Sequence, residues 1–407
     1  MTHKILKSAS VMMALFLIFN IFATSVAATD VKGFSQRGDV ICISHRGDWH
    51  SFPENSAEAV RAGAQYGAVS VDVRVTKDGK TVLMADETTD RMVADETGKT
   101  VSKNVADMTL DELTSLYLRA ENGGEDKKVT ECKVASLESA IQAAGDTALI
   151  LNLTCEDFDA VYKNVTELGA TDKVIFRFNT DSMKNISETV KDTKAVTAFG
   201  NYQGNIIFLA TSAVKKSLAN GMNTVELGST NGNGVLYDEF LMSRFDEEGR
   251  AMVSMVGGRS GKRPDSERGW DDLITLGYTV IETDYPEQLN EYLGRIESEK
   301  KQLSYFVDLY KSTDLQAYTT DTENAFTSAL TNAQALIENA GSLSELQNAR
   351  HALQSSFDNL TLGEKKAVTL KFDFTVGRLV AVVLVGAAFV VSQILLFKRR
   401  DKTKKAQ

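Results

Sequence analysis

From Val40 to Glu282, short apolar runs of strand type alternate with amphipathic helical stretches, and this rhythm constrains the fold more than any other feature of the chain. The runs lie at Val40–Ser44, Val69–Val75, Val82–Ala85, Ala148–Leu153, Val174–Phe178, Val196–Phe199, Thr224–Leu227, Ala251–Val256 and Thr279–Glu282. Strands separated by helices form parallel sheets, and the closed barrel of this type has eight, so one of the short middle runs is surplus. The expected fold class is α/β, a TIM (β/α)8 barrel. Between the third and fourth runs, Leu110–Leu118 and Ser136–Ala144 have helical spacing, and AENGGEDKKVTEC between them reads as a surface loop.

Beyond the barrel the texture changes. From about Leu303 to Leu362 only helical patterns occur: Thr320 with Glu323 and Ser342 with Glu345 read as capping boxes, and Leu343, Leu346, Ala349, Leu353, Phe357 and Leu360 recur three or four apart. This small all-α module resembles the FIVAR modules of bacterial surface proteins, which implies either a spacer or a glycan-contacting stalk. Residues 376–397 contain an uncharged apolar stretch, Leu379–Phe397, long enough to cross a bilayer as one helix, and residues 398–407 follow with a basic cluster. Residues 1–28 have the build of a secretory signal peptide: Lys4 and Lys7, an apolar run, then SVAA. The positive-inside rule keeps the basic tail cytoplasmic, so the expected arrangement is a single-pass cell-membrane protein with barrel and helical module outside.

A net charge of −10 and a pI near 5.1 exclude a nucleic-acid partner, which would require clustered cations. Cys42, Cys132 and Cys155 lack metal-ligand spacing, and Cys42 inside the first strand reads as a small buried hydrophobe.

Chemistry concentrates in ISHRGDWHSFPEN, Ile43–Asn55, where a strand delivers His45, Arg46 and Gly47 to its tip and Pro53, Glu54 and Asn55 lead into a helix. HRG, PEN, the D-V-R-x-T-K-D-G turn and D-E-T-x-D-R together resemble the glycerophosphodiester phosphodiesterases, metal-dependent TIM-barrel hydrolases. Thr283, Asp284 and Pro286 match that family's terminal T-D-x-P, so the barrel is expected over residues 31–299, with the helical module at 303–362. The resemblance implies that His45 serves as acid or base, Arg46 contacts phosphate, and Asp72 with Glu54 belongs to a site for a divalent cation, Ca²⁺ or Mg²⁺. Other family positions are lost: Ser70 and Asn152 stand where metal-binding glutamates belong, Ala85 where the second histidine belongs, and Thr154 where a lysine belongs. A hard cation left with one carboxylate and neutral neighbours binds weakly.

His50, five residues from His45, can supply the missing acid/base partner or be an exposed loop residue. Glu54, Asp86, Glu226, Glu282 and Asp284 are candidate recruits as metal ligands or structural carboxylates, with Glu54 at a loop-to-helix junction, Asp86 in a turn and Asp284 capping the last barrel helix. The glycine-rich GGRSGKR, Gly257–Arg263, offers three cations on a late βα loop, where such barrels often hold phosphate. Two functions follow: a phosphoric diester hydrolase acting on glycerophosphodiesters or teichoic-acid-like polymers, with impaired or altered catalysis, or a pseudoenzyme binding phosphodiester head groups, cell-wall polymer or a protein partner. For the topology, protease added to intact cells is expected to remove the barrel and spare the C-terminal tail; a protected barrel with an accessible C-terminal tag reverses the orientation.

Overall fold

A computed structural model of the chain describes residues 39–363, except 155, 180–196, 205, 220, 221, 223, 229–235, 237, 246–249, 255–264 and 340. The signal-like 1–28, the apolar 376–397, the basic 398–407 and GGRSGKR therefore lie outside the described residues. Among the described residues no helix is long and apolar enough to cross a membrane.

The strands in chain order are β1 (Ile41–His45), β2 (Ala68–Val75), β3 (Thr81–Leu83), β4 (Val93–Ala94), β5 (Tyr117–Arg119), β6 (Val129–Lys133), β7 (Leu149–Asn152), β8 (Val174–Asn179), β9 (Thr197–Gln203), β10 (Thr224–Gly228), β11 (Arg250–Ser254) and β12 (Tyr278–Thr283). Eight of them, β1, β2 and β7 to β12, pair in parallel, and β1 bonds to both β2 and β12, so the sheet curls into a closed barrel. The surplus run is the third. After Val75 a tight turn, in which Thr76 Oγ1 donates to Asp78 and accepts the Lys80 N–H at 3.0 Å, sends Thr81–Leu83 back antiparallel along β2. That reversal makes β3 an appendage of the barrel.

Period-two alternation sorts the strand residues. Val69, Val71 and Val73 pack outward with Val60, Ala140 and Val161 of the surrounding helices. A second apolar cluster, Ile41, Ile43, Ala68, Ala148, Ile150, Ile175, Met252 and Val280, joins residues drawn from six of the barrel strands. Two residues further along several strands the same face turns polar: Ile43 gives way to His45, Ile150 to Asn152, Ile175 to Arg177 and Val280 to Glu282. The barrel is thus apolar at its base and charged towards the C-terminal ends of its strands, the face that bears function in this architecture.

Between β3 and β7 an inserted layer forms a small antiparallel sheet, β4-β5-β6, over Met84, Met92, Val105, Leu113 and Leu118. The helix expected over Leu110–Leu118 stops at Thr114, with a capping box of Thr109 and Glu112 at its start. Its last residues instead enter β5, and part of the expected surface loop forms β6, because the strands pair with each other.

The final helices differ from the expected division. One helix, α8 in chain order, runs unbroken from Pro286 to Tyr310, so the expected boundary at Glu299 falls inside it. Its buried face, Leu289, Tyr292, Ile296, Glu299, Leu303, Phe306 and Tyr310, keeps helical spacing straight through that position. The last helix of the described residues, α10 (Leu343–Asp358), starts from the expected Ser342–Glu345 capping box and packs along α8. Asp271 accepts the Ser344 backbone N–H at 3.0 Å and the Tyr292 hydroxyl at 2.7 Å, Arg350 pairs with the buried Glu299, and Tyr310 stacks on Phe357 at 4.0 Å. Among the described residues, those up to Thr313 together with 324–359 form one compact unit. A second unit takes in 314–323 and 360–363, where Thr319 and Thr361 are joined at 2.9 Å and Gly363 bonds Ala317 at 3.0 Å. Removing the partner of a buried charge is expensive, so Arg350→Ala is expected to lower stability by about 3 kcal/mol. Urea unfolding of the two proteins checks this, and an unchanged midpoint contradicts it.

Candidate functional site

His45 ends β1, and Arg46 and Gly47 turn the chain through left-handed conformations, φ 57° and 79°. Gly47 is obligatory: a Cβ there would lie 2.4 Å from the Ala59 carbonyl oxygen. Asn55 also sits at φ 56°, and its N–H bonds the Arg46 carbonyl at 3.0 Å. Two non-glycine residues held left-handed on one loop are strained backbone of the kind that collects at functional sites.

The loop aims its side chains into a network of acids and guanidiniums. Arg46 Nη1 donates to Glu54 at 2.8 Å, and its Nε lies 2.7 Å from Asp72 Oδ2 as an ion pair. Glu54 also accepts Arg91 Nη2 at 2.6 Å, and Arg91 in turn holds Asp86 at 2.5 Å. Asp72 receives the Asn152 amide at 2.6 Å on its other oxygen, and Asn55 accepts the Asp72 backbone N–H at 3.0 Å. Deeper in the barrel Arg177 Nη1 lies 2.9 Å from Glu282 and 3.6 Å from Glu226, and Ser70 Oγ donates to the same Glu282 oxygen. At the rim, His45 Nδ1 and Trp49 Nε1 both meet Asp284 Oδ1, at 2.9 and 2.8 Å. A carboxylate there favours the tautomer with the proton on Nδ1, which leaves Nε2 to exchange a proton with a ligand.

The electrostatics follow from these pairs. Burial raises the Asp72 carboxyl, but Arg46, His45, the Asn152 amide and Arg177 together outweigh it and hold the group below its ordinary range. Burial disfavours the Arg177 cation, yet Glu282 and Glu226 more than compensate and fix it in the charged form. The same balance, burial against Asp72 and Glu54, keeps Arg46 charged.

Of the expected site residues, His45, Arg46, Glu54 and Asp72 converge. Arg46 does so as the partner of two carboxylates. His50 stands apart: it is exposed and stacked between Trp49 and Tyr285, with ring centroids 3.8 and 4.9 Å away, and no hydrogen bond joins it to His45 or Asp72. At the lost positions, Ser70 and Asn152 bond to acids, the Ala85 carbonyl accepts Arg74 at 2.7 Å, and exposed Thr154 bonds to Asp157 at 2.9 Å. Asp284 anchors His45, and Tyr285 takes the cap position of the last barrel helix. Two residues not singled out in the sequence, Arg91 and Arg177, prove central. The signal for Arg177 is one charge inside an otherwise apolar strand run, VIFRF.

The donor set does not fit a divalent metal. Asp72, Glu54 and Glu282 already receive guanidinium or amide donors, Ser70 and Asn152 are neutral, and among the described residues no group of three or more acidic, histidine or cysteine side chains is placed to hold an ion.

Fold and site together define a closed barrel of eight parallel strands with a charged mouth, where a histidine at the end of the first strand pairs with an aspartate just after the last. Residues 45–197 match the family model described as Glycerophosphoryl diester phosphodiesterase family. The chain is 30% identical over 129 residues to the Glycerophosphodiester phosphodiesterase of Caldanaerobacter subterraneus, a match covering 31% of this chain and 49% of the relative. It is 30% identical over 168 residues to Glycerophosphodiester phosphodiesterase 1 of Rattus norvegicus, covering 37% and 49%. The match thus spans about half the length of these curated relatives. The crystal structure of a Glycerophosphoryl diester phosphodiesterase from Parabacteroides distasonis shares the fold with a TM-score of 0.50 at 20% identity, over 69% of this chain and 90% of that one.

Because the Asp72 carboxyl is depressed in the folded state, its pairing contributes stability that is complete above the ordinary carboxylate range and is lost as pH falls through the lowered value. Unfolding midpoints are therefore expected to drop below about pH 4, with a smaller drop in Asp72→Asn. Equal drops in both proteins would remove Asp72 from the effect.

Proposed function

We propose that this protein is a membrane-tethered, extracytoplasmic member of the family whose barrel binds phosphodiester head groups, from glycerophosphodiesters or teichoic-acid-like polymers, without metal-assisted hydrolysis. The observation that carries the reading is Arg177. Its guanidinium pairs with Glu282 and Glu226 inside the barrel, so a permanent cation from the chain itself neutralises acids that a divalent ion would need. Ser70 is the second support: the hydroxyl at a family glutamate position bonds to Glu282 from the opposite side of the β1 seam, so carboxylate charge enters from β12.

In this reading His45, oriented by Asp284, and Arg46, oriented by Glu54 and Asp72, are the groups that meet the ligand. His50 has no acid/base part. The tether is the apolar 376–397 with its basic flank, read from sequence alone.

Calorimetric titration with Ca²⁺ and Mg²⁺ tests the proposal. The unmodified protein is expected to show no divalent-ion site and no release of glycerol phosphate from glycerophosphodiesters. Arg177→Met, which frees Glu282 and Glu226 from their counter-ion, is expected to gain one. Brisk hydrolysis by the unmodified protein that EDTA stops would overturn the reading.

A further inference from the structure

Large apolar side chains exposed to solvent are concentrated at one end of the barrel. Among the described residues nine are conspicuously exposed, and six of these, Phe52, Ile206, Ile207, Phe208, Leu209 and Tyr285, lie where the chain leaves a barrel strand at its C-terminal end. Phe52 follows β1, Ile206–Leu209 follow β9 and open the helix Ile207–Ala219, and Tyr285 follows β12. Among the described residues no element covers the four consecutive apolar residues Ile206–Leu209, of which Phe208 is 79% exposed; isolated exposed hydrophobes are common, but a run of them marks a surface that meets something apolar. Among the described residues no comparable run occurs elsewhere: Leu168, after the helix Phe158–Glu167, and Phe240 are isolated.

We propose that this rim docks onto the surface of a lipid bilayer, so that the barrel mouth opens against the membrane. The inference rests on the membrane tether of the preceding reading. Two observations select lipid over another protein. First, only about 12 residues separate Gly363 from the apolar 376–397, roughly 40 Å of chain when extended, which holds the domain close to the bilayer and makes docking effectively intramolecular. Second, the rim combines aliphatic residues with amphipathic aromatics: Trp49, His50 and Tyr285 form a stacked ladder, and aromatic rings with a polar edge favour the headgroup region.

The docked rim places His45 and Arg46, on the same face, at the level of lipid head groups. The ligand it then reaches is a phosphodiester held in or on the membrane.

The test uses the full chain reconstituted in phosphatidylcholine vesicles whose acyl chains carry bromine, which quenches tryptophan on contact. Phe208→Trp and Leu168→Trp each add one reporter, on the rim and at the base, over the same background from Trp49 and Trp270. The added emission at position 208 is expected to be largely quenched and that at 168 to persist. Flotation of the vesicles separates the two readings. A chain that does not float with the vesicles overturns the tether and this inference with it. A chain that floats but is unquenched at 208, or equally quenched at both positions, overturns the rim alone. A blue shift at 208 that grows with the protein-to-lipid ratio, without bromine quenching, assigns the rim to a second copy of the chain and also overturns it.

Discussion

The interior of the barrel is organised by one buried cation. Arg177 is 6% exposed, on β8, and its guanidinium faces Glu282 from β12 and Glu226 from β10. Buried charges that lose their partners cost several kcal/mol, so this group binds the strands into a set that must be assembled together. Ser70 extends it to β2, where Asp72 continues the network to Arg46, Glu54 and Arg91. The charged layer is continuous from the barrel interior to the inserted layer between β3 and β7. Every acid in that path has a guanidinium, amide or hydroxyl within reach, and this pairing makes the mouth a poor metal centre while keeping it strongly polar.

Much of this was legible in the sequence. Strand positions follow from apolar runs, and the convergence of His45, Arg46, Glu54 and Asp72 follows from the HRG and PEN motifs on a single loop. The third run was misplaced because its length and composition are those of a barrel strand; only the side-chain bonds of Thr76 reverse the chain before it. Arg177 was illegible for a different reason. A single arginine in VIFRF is meaningful only once the register of β8 points it inward, and register depends on neighbours far away in sequence. Arg91 stood inside a quoted motif, yet its partner Glu54 lies 37 residues earlier. Arg46 was correctly placed at the mouth, but the acids that hold it are visible only in three dimensions.

The same logic explains the C-terminal helices. Capping residues and spacing located Ser342 and the buried stripe Leu346, Ala349 and Leu353, but a stripe says that a face is covered, not by what. Here it is covered by α8 and by Asp271, whose carboxylate satisfies the first turn of the last helix. A helix running through the expected boundary is what an amphipathic pattern without a breaker permits, and Glu299 is buried because Arg350 reaches it.

That long helix has a mechanical consequence. Its 25 residues make a rod of about 37 Å that begins two residues after Asp284, the carboxylate holding His45. Tension drawn through the chain beyond Tyr310 would travel along this rod towards the histidine. Before it arrives it meets the clasp of Arg350 on Glu299, the stack of Tyr310 on Phe357 and the Asp271 anchor, all of which tie the rod sideways to neighbouring helices. Load is shed into the body of the protein, and the ring of His45 keeps its aim while the segment beyond is pulled.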